Sequence, residues 1–234
     1  MKLIDKINIV WGFRDSVFQG LGITLLIALG AVIIGFFIGV LCAVVKIAPK
    51  NNIFIKILDK VAGVYITVIR GTPTLLQLLL MCNAIMVTAY KASTNIIVPI
   101  IAFGVNSGAY MAEIIRSGIN SVDKGQMEAG RSLGLGWGTT MIKVVIPQAI
   151  KTVVPAIFNE IIVLVKETSV VCYVAITVGG KQVRDLLGYA DKFGTMTSYY
   201  MEFIIAAAII YLAVVMILTL VQKLIEKRMK KDER

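Results

Sequence analysis

Six ionisable side chains lie inside stretches of sequence that are otherwise apolar. They are Arg70, Glu113, Arg116, Glu160, Lys166 and Glu167. A charged side chain at the centre of a bilayer costs about 2.5–3.5 kcal/mol on insertion scales, so it normally faces a partner or a water-filled cavity. If the apolar stretches span a membrane, these residues are the candidates for binding a polar ligand within it.

The spacing of Glu160, Lys166 and Glu167 favours binding of a zwitterion. In a regular helix Glu160 and Glu167 share a face, whereas Lys166 points about 100° away from Glu167. Because the three charges cannot all neutralise one another, Glu160 suits an ammonium or guanidinium group and Lys166 a carboxylate. Thr168 and Ser169 follow directly, and we expect local unwinding of the helix there.

The same charges are also compatible with purely structural roles. Glu160 could form a salt bridge with another helix, for which Arg70 is a candidate partner. Arg116 lies three residues after Glu113, close enough to pair with it on one helix face. Arg70 could instead contact the ligand, act as a gate at the interface, or cap a helix. The amide side chains that could complete a binding cavity are Gln77, Asn83 and Asn159.

The composition places the chain in a membrane. Hydrophobic residues make up 58% of the 234 positions and the mean hydropathy is +0.85, whereas soluble domains have roughly 45–50% apolar content. The net charge of +10 does not indicate a nucleic-acid partner, because the charges lie between the apolar runs. With no histidine, and three cysteines that all lie in apolar runs, the chain is not expected to hold a metal site, a disulfide framework or a histidine-based catalytic centre.

The uncharged runs predict an all-α integral membrane protein with five transmembrane helices. A helix needs roughly 20 residues to cross the hydrocarbon core. The approximate spans are 16–45, 62–90, 92–115, 152–178 and 199–222. They form one transmembrane domain, residues 1–222, which is followed by a basic tail, residues 223–234.

The distribution of lysine and arginine predicts the orientation. With the N-terminus outside, fifteen of these residues lie in segments that face the cytoplasm and seven in segments on the outer side. Cytoplasmic loops are enriched in basic residues. We therefore expect the N-terminus outside, and both the loop 120–147 and the C-terminal tail in the cytoplasm.

The loop 120–147 is polar and rich in glycine, although it lies between two apolar spans. We expect two short helices joined at residues 134–138, the first with Asp123 near its start and Arg131 near its end, as suits the helix dipole. Gly134 then permits a sharp reversal that a residue with a Cβ would resist. Such a stiff projection suits docking of a partner; a solvated linker is the alternative.

The spacing in this loop resembles the EAA loop of ATP-binding-cassette importer permeases. That motif reads E-A-A, three residues, Gly, nine residues and then I-x-L-P. Glu128, Ala129, Gly134 and Pro147 fall on this register, and Gly130 replaces the second alanine of the motif. The replacement keeps a small residue at that position.

Further segments resemble the polar amino acid branch of this permease family. They are RGTP at residues 70–73 with Gln77, AYMAEIIRSGI at residues 109–119, GQMEA and PQA on either side of the loop's turn, and Asn159 with K-x-T-S at residues 166–169. These motifs occur in the same order and spacing as in that branch. The chain is therefore identified as a member over about residues 16–222.

This resemblance implies a set of partners. The segment around Glu128 would be a coupling helix seated in a groove of an ATPase subunit, with Glu128 paired to a basic residue there. The implied docking residues are Asp123, Glu128, Ala129, Gly130, Arg131 and Gly134. The implied partners are a dimer of ATP-binding subunits, an extracytoplasmic amino-acid-binding protein, a second permease subunit that is identical or paralogous, and the lipid of the bacterial cytoplasmic (inner) membrane.

The chain itself has no ATP site in its sequence. A P-loop needs a lysine after its glycines so that the phosphates are neutralised, and the glycine-rich residues 134–140 lack it. We therefore expect no cofactor in this chain, with ATP and Mg²⁺ bound by the partner ATPase, and no enzymatic activity of its own.

The predicted function is import of a polar amino acid by alternating access. An acidic Glu160 near the membrane centre favours arginine, lysine or histidine over glutamine, glutamate or cystine, unless it holds only the α-amino group. Two other classes are the alternatives. A secondary transporter often shows paired internal repeats, and none is evident here. An intramembrane enzyme would need a nucleophile or metal set beside its carboxylates, and neither is evident in the sequence.

Overall fold

The computed structural model describes residues 3–88 and 93–231, and within them the chain is almost entirely helical. The α-helices are α1 Leu3–Gly12, α2 Arg14–Ile47, α3 Ile53–Arg70, α4 Thr74–Thr88, α5 Ile97–Asn120, α6 Lys124–Ser132, α7 Trp137–Thr140, α8 Ile146–Glu167, α9 Leu186–Thr197 and α10 Tyr200–Lys231. A π-helical turn, Met141–Val145, joins α7 to α8, and a 3₁₀ segment, Thr168–Tyr173, follows α8.

Within residues 3–88 and 93–231, four helical segments are long and apolar enough to cross a membrane. They are Arg14–Ile47, Ile97–Asn120, Trp137–Tyr173 and Tyr200–Met229, and a shorter apolar helix covers Thr74–Ala84. The predicted class, an all-α membrane protein, is confirmed. Residues 89–90 of the second predicted span, residue 92 of the third, and residues 1–2 and 232–234 lie outside the described residues.

The second predicted span, residues 62–90, is a broken helix. Helix α3 ends at Arg70 and α4 begins at Thr74, with residues 71–73 between them. Pro73 has no N–H to donate and its ring disfavours a helical conformation in the residue before it. The run of uncharged residues predicted a span here but not the interruption.

Helices α2 and α5 pack closely through small residues. A Cβ added to Gly35 would contact Ser107, and one added to Gly39 would contact the backbone and side chain of Met111. Ala31, Gly35 and Gly39 are buried along the same face of α2. Small residues let helix backbones approach in lipid, and here they do so within one chain.

A small sheet connects the ends of two helices. Strands β1 Thr94–Asn95, β2 Ile176–Val178 and β3 Lys181–Val183 pair in that order, β1 parallel to β2 and β2 antiparallel to β3. The Asn95 side chain accepts a hydrogen bond from the Ile97 N–H at 2.9 Å. The sheet therefore fixes the start of α5 to the chain that leaves the 3₁₀ segment after α8.

Helix α9 follows this sheet along the chain and precedes α10. It begins with a buried acidic cap. The Asp185 carboxylate accepts hydrogen bonds from the N–H groups of Leu187, at 3.1 Å, and Gly188, at 3.2 Å. The Leu186 N–H donates to the Thr24 hydroxyl of α2 at 3.1 Å. These bonds satisfy N–H groups that have no partner at a helix start.

Candidate functional site

Polar side chains from α3, α4, α5 and α8 meet among apolar helices. We call this set the polar layer; its members are Arg70, Thr74, Gln77, Asn106, Ser107, Tyr110, Glu160 and Glu167. In α5, Asn106, Tyr110 and Glu113 follow one another at helical spacing and so lie along one side of the helix. The layer includes two carboxyl groups and one guanidinium group within apolar helices, where uncompensated charge is costly.

Glu160 is the buried carboxyl group of the layer. It is 9% exposed, and its carboxylate accepts a hydrogen bond from the Ser107 hydroxyl of α5 at 3.1 Å. The charged groups whose electrostatic fields reach it are Glu167 and Arg70. Among the residues that the structure describes, Glu160 forms no salt bridge, so the alternative of an ion pair with Arg70 is not realised.

The other charged residues of α8 point in different directions. The Thr74 side chain, at the start of α4, lies beside the Glu167 carboxyl group. Lys166 and Asn159, seven positions apart, are both exposed on the single chain. The structure therefore does not bring Lys166 next to Glu160. The unwinding expected at Thr168 is confirmed, since the 3₁₀ segment begins there.

Arg70 is the cation that the structure does bring to the layer. Its guanidinium carbon lies 5.3 Å from the centre of the Tyr110 ring, a cation–π contact. Glu113 and Arg116 hydrogen-bond to each other through both carboxylate oxygens, as their spacing predicted. Glu113 is thus compensated within its own helix, while Arg70 rests on an aromatic ring.

The two predicted amides of α4 have different surroundings. Gln77 hydrogen-bonds the end of α3 and accepts a bond from Asn106. The exposed Asn83 donates to Leu79 O of its own helix, at 2.8 Å. Sequence reasoning missed Ser107, Asn106 and the Tyr110 ring. Their signal was present, because polar residues recur at helical spacing before Glu113.

The loop between α5 and α8 folds as a short helix with a defined start and stop. The Asp123 side chain accepts a bond from the Gly125 N–H at 2.7 Å and caps α6. Gly134 has φ of +83°, which confirms the predicted reversal. The Leu135 N–H reaches back to Gly130 O at 3.1 Å, as in a helix-ending turn.

The outward face of this loop is both charged and apolar. Glu128, Ala129 and Arg131 are exposed, and Leu133 is 82% exposed. Gly130 alone on α6 is buried, because it lies against Thr140 with no room for a Cβ. We call residues 123–135 the coupling loop. One side of this loop exposes its side chains. The other side packs, through Gly130, against Thr140 near the start of the next span.

Comparison with known families places this architecture. The sequence model of the family described as the binding-protein-dependent transport system inner membrane component matches residues 35–231. The arginine transport system permease protein ArtQ of Bacillus subtilis is 36% identical over 93% of this chain and 94% of its own length. The putative glutamine transport system permease protein GlnP of Rickettsia typhi is 34% identical over 91% and 92% of the two chains.

Solved structures show the same fold. A crystal structure of an amino acid ABC transporter with histidines superposes with a TM-score of 0.83, at 36% identity, covering 97% of this chain and 99% of that one. An inward-facing structure of the MetNI methionine ABC transporter superposes at 0.70 with 18% identity, which supports the fold alone. With a family match over most of its length, this chain belongs to the inner membrane components of binding-protein-dependent transport systems, as an amino acid ABC importer permease.

Proposed function

We propose that this permease carries basic amino acids into the cytoplasm. The observation that supports it most directly is Glu160, a buried carboxyl group whose hydrogen-bond donor is the neutral Ser107 hydroxyl. A buried anion normally has a cationic partner. A substrate ammonium or guanidinium group would supply that partner while it passes through the polar layer.

Arg70 and Lys166 are the candidates for the substrate carboxylate. Arg70 suits it because a guanidinium presents two parallel donors to a carboxylate, and because its field already reaches Glu160. Lys166 and Asn159 share an exposed face of α8. They would act where the substrate enters or leaves the layer rather than beside Glu160.

Glutamine is the second candidate substrate. Several Rickettsia relatives that match over about nine-tenths of this chain are named putative glutamine permeases. The layer also contains the amides of Gln77 and Asn106, although these bond to each other. In that case Glu160 would hold only the α-amino group that every amino acid carries.

The coupling loop is proposed to dock on the ATPase. Exposed Glu128 and Arg131 offer charge contacts and Leu133 an apolar contact, while Asp123 and Gly134 fix the ends of the helix that carries them. ATP and Mg²⁺ would be held by that partner. An extracytoplasmic binding protein would deliver the amino acid, and a second permease subunit, identical or paralogous, would complete the pathway.

The test is uptake of arginine and of glutamine by the complete transporter in vesicles, comparing the wild type with Glu160→Gln. Losing a charged hydrogen-bond partner is worth about 1.5–3 kcal/mol, or about 10- to 150-fold. We expect this loss for arginine and little change for glutamine. Glu226→Gln is the matched control, because Glu226 bonds to Gln222 outside the layer.

The other outcomes separate the alternatives. Equal loss for both substrates would assign Glu160 to the α-amino group. Unchanged uptake of both substrates would remove Glu160 from the substrate path and leave the basic-substrate proposal without its main support.

A further inference from the structure

One amide side chain, that of Gln77, connects the two halves of the broken span to a neighbouring helix. Its Nε2 lies 2.8 Å from Ile69 O, 3.1 Å from Thr72 O and 2.7 Å from the Thr72 hydroxyl oxygen. Because an amide nitrogen has two hydrogens, one of them is shared between two of these acceptors. Its Oε1 accepts a bond from Asn106 Nδ2 at 2.9 Å. Both ends of the amide are therefore engaged by the protein itself.

The break lies within the second predicted span, residues 62–90, and in a span it needs such a partner. The last carbonyl groups of a helix have no partner in the helix, and an unsatisfied backbone group in lipid is costly. The Thr72 hydroxyl donates a hydrogen bond to Val68 O at 2.8 Å. The Gln77 amide donates to Ile69 O and Thr72 O. Side chains from α4 and from the break itself thus supply hydrogen bonds to backbone carbonyl groups around residues 71–73.

The break is also fixed to the elements that carry the polar layer. Asn106, which is 2% exposed, is the neighbour in sequence of Ser107, the donor to Glu160. On the other side of the break, the Thr74 side chain lies beside Glu167 of α8. Arg70 is the last residue of α3, so its position depends directly on the geometry of the break.

We propose that Gln77 is a positioning residue, which holds the break between α3 and α4 against α5 and so sets Arg70 within the polar layer. This inference rests on the proposed function in one respect, because the proposed function gives Arg70 a substrate to bind. It assigns the amide of Gln77 to the protein's own backbone rather than to the substrate.

The chain offers a matched control on the same helix. Asn83 lies six residues after Gln77, and among the described residues its amide donates to Leu79 O within α4. The change from amide to carboxylate at each position, Gln77→Glu and Asn83→Asp, removes the same kind of donor. Gln77→Met keeps the length of the side chain and removes its hydrogen bonds without adding charge.

The experiment uses the whole transporter complex in detergent and has two readouts. The first is the hydrogen exchange rate of the backbone amides in residues 69–77. The second is equilibrium binding of radiolabelled arginine and glutamine without binding protein, giving both the Kd and the number of sites. The probe for the variants is whichever of the two amino acids the wild type binds.

We expect Gln77→Glu and Gln77→Met to exchange faster at the break and to raise the Kd about tenfold, since each lost hydrogen bond is worth up to about a factor of ten. The number of sites per complex should stay the same, whereas a general loss of folding would lower it. Asn83→Asp should change neither readout. Asn106→Leu removes only the link to α5 and should give a smaller rise in both.

Two results would overturn the inference. A raised Kd without faster exchange would make Gln77 a direct substrate ligand, and an unchanged Kd would show that Arg70 does not depend on it. If neither Gln77 variant assembles, the Asn106→Leu variant decides by the same two criteria. A wild type that binds glutamine and not arginine would contradict the basic-substrate proposal and leave this test intact.

Discussion

At the scale of single residues, the polar layer shows what a one-dimensional sequence can identify and what it misses. Glu160 and Arg70 were predicted because charge inside an apolar run is conspicuous. The assignment of the substrate carboxylate to Lys166 stays a prediction; the structure leaves Lys166 exposed on the single chain and brings Arg70 to the layer. Spacing gives the side of a helix, but which helix faces that side depends on tertiary packing.

Gly130 gives a prediction at this scale. The EAA motif that this loop resembles has alanine at this position, but a Cβ here would overlap Thr140. Overpacking costs typically about 1–3 kcal/mol, so Gly130→Ala should loosen the coupling loop and reduce the amount of ATPase subunit that co-purifies. Thr140→Ala combined with Gly130→Ala should restore it. An unaffected single variant would show that the loop accommodates the methyl group.

At the scale of elements, turn chemistry was more predictable than interruptions. The reversal at Gly134 and the unwinding at Thr168 followed from local residue types, and both are present. The break at residues 71–73 was missed because the uncharged run is long enough to predict one continuous span, and a single proline does not by itself predict an interruption. The small sheet was missed too, since its strands are only two or three residues long.

Asp185 gives the prediction at the scale of elements, because it starts α9. Burial raises the pKa of its carboxyl group to about 7, while hydrogen bonds from Gly188 and Leu187 and the nearby Arg184 hold the pKa down. The folded protein therefore keeps this proton at a pH where the unfolded chain has lost it. Stability should fall as the pH rises from about 4 to about 7.

The measurement is thermal unfolding of the purified protein at about pH 5 and about pH 8. A shift of this size corresponds to a loss of roughly 2–3 kcal/mol between those two conditions. Asp185→Asn keeps a capping oxygen and removes the charge, so its stability should depend less on pH. The same pH dependence in both proteins would locate the titrating group elsewhere.

At the scale of the whole molecule, the exposed surface of one chain is consistent with a partner in the membrane. Helix α10 exposes large apolar side chains along its length, as lipid contact requires. Asn159 and Lys166, by contrast, are exposed polar residues within the span Trp137–Tyr173, and Arg70 is exposed at the end of α3. We propose that a second permease subunit covers them and encloses a polar pathway.

We propose that this chain couples amino acid movement to ATP hydrolysis by a partner. The direct measurement is the ATPase rate of the complex purified through a tag on this chain and embedded in lipid nanodiscs. We predict that ATP-binding subunits co-purify in equal number with this chain and that their turnover rises only when binding protein and amino acid are both added. Two results together would contradict this coupling: the chain purifies without an ATPase, and it takes up amino acids without ATP, driven by an ion gradient.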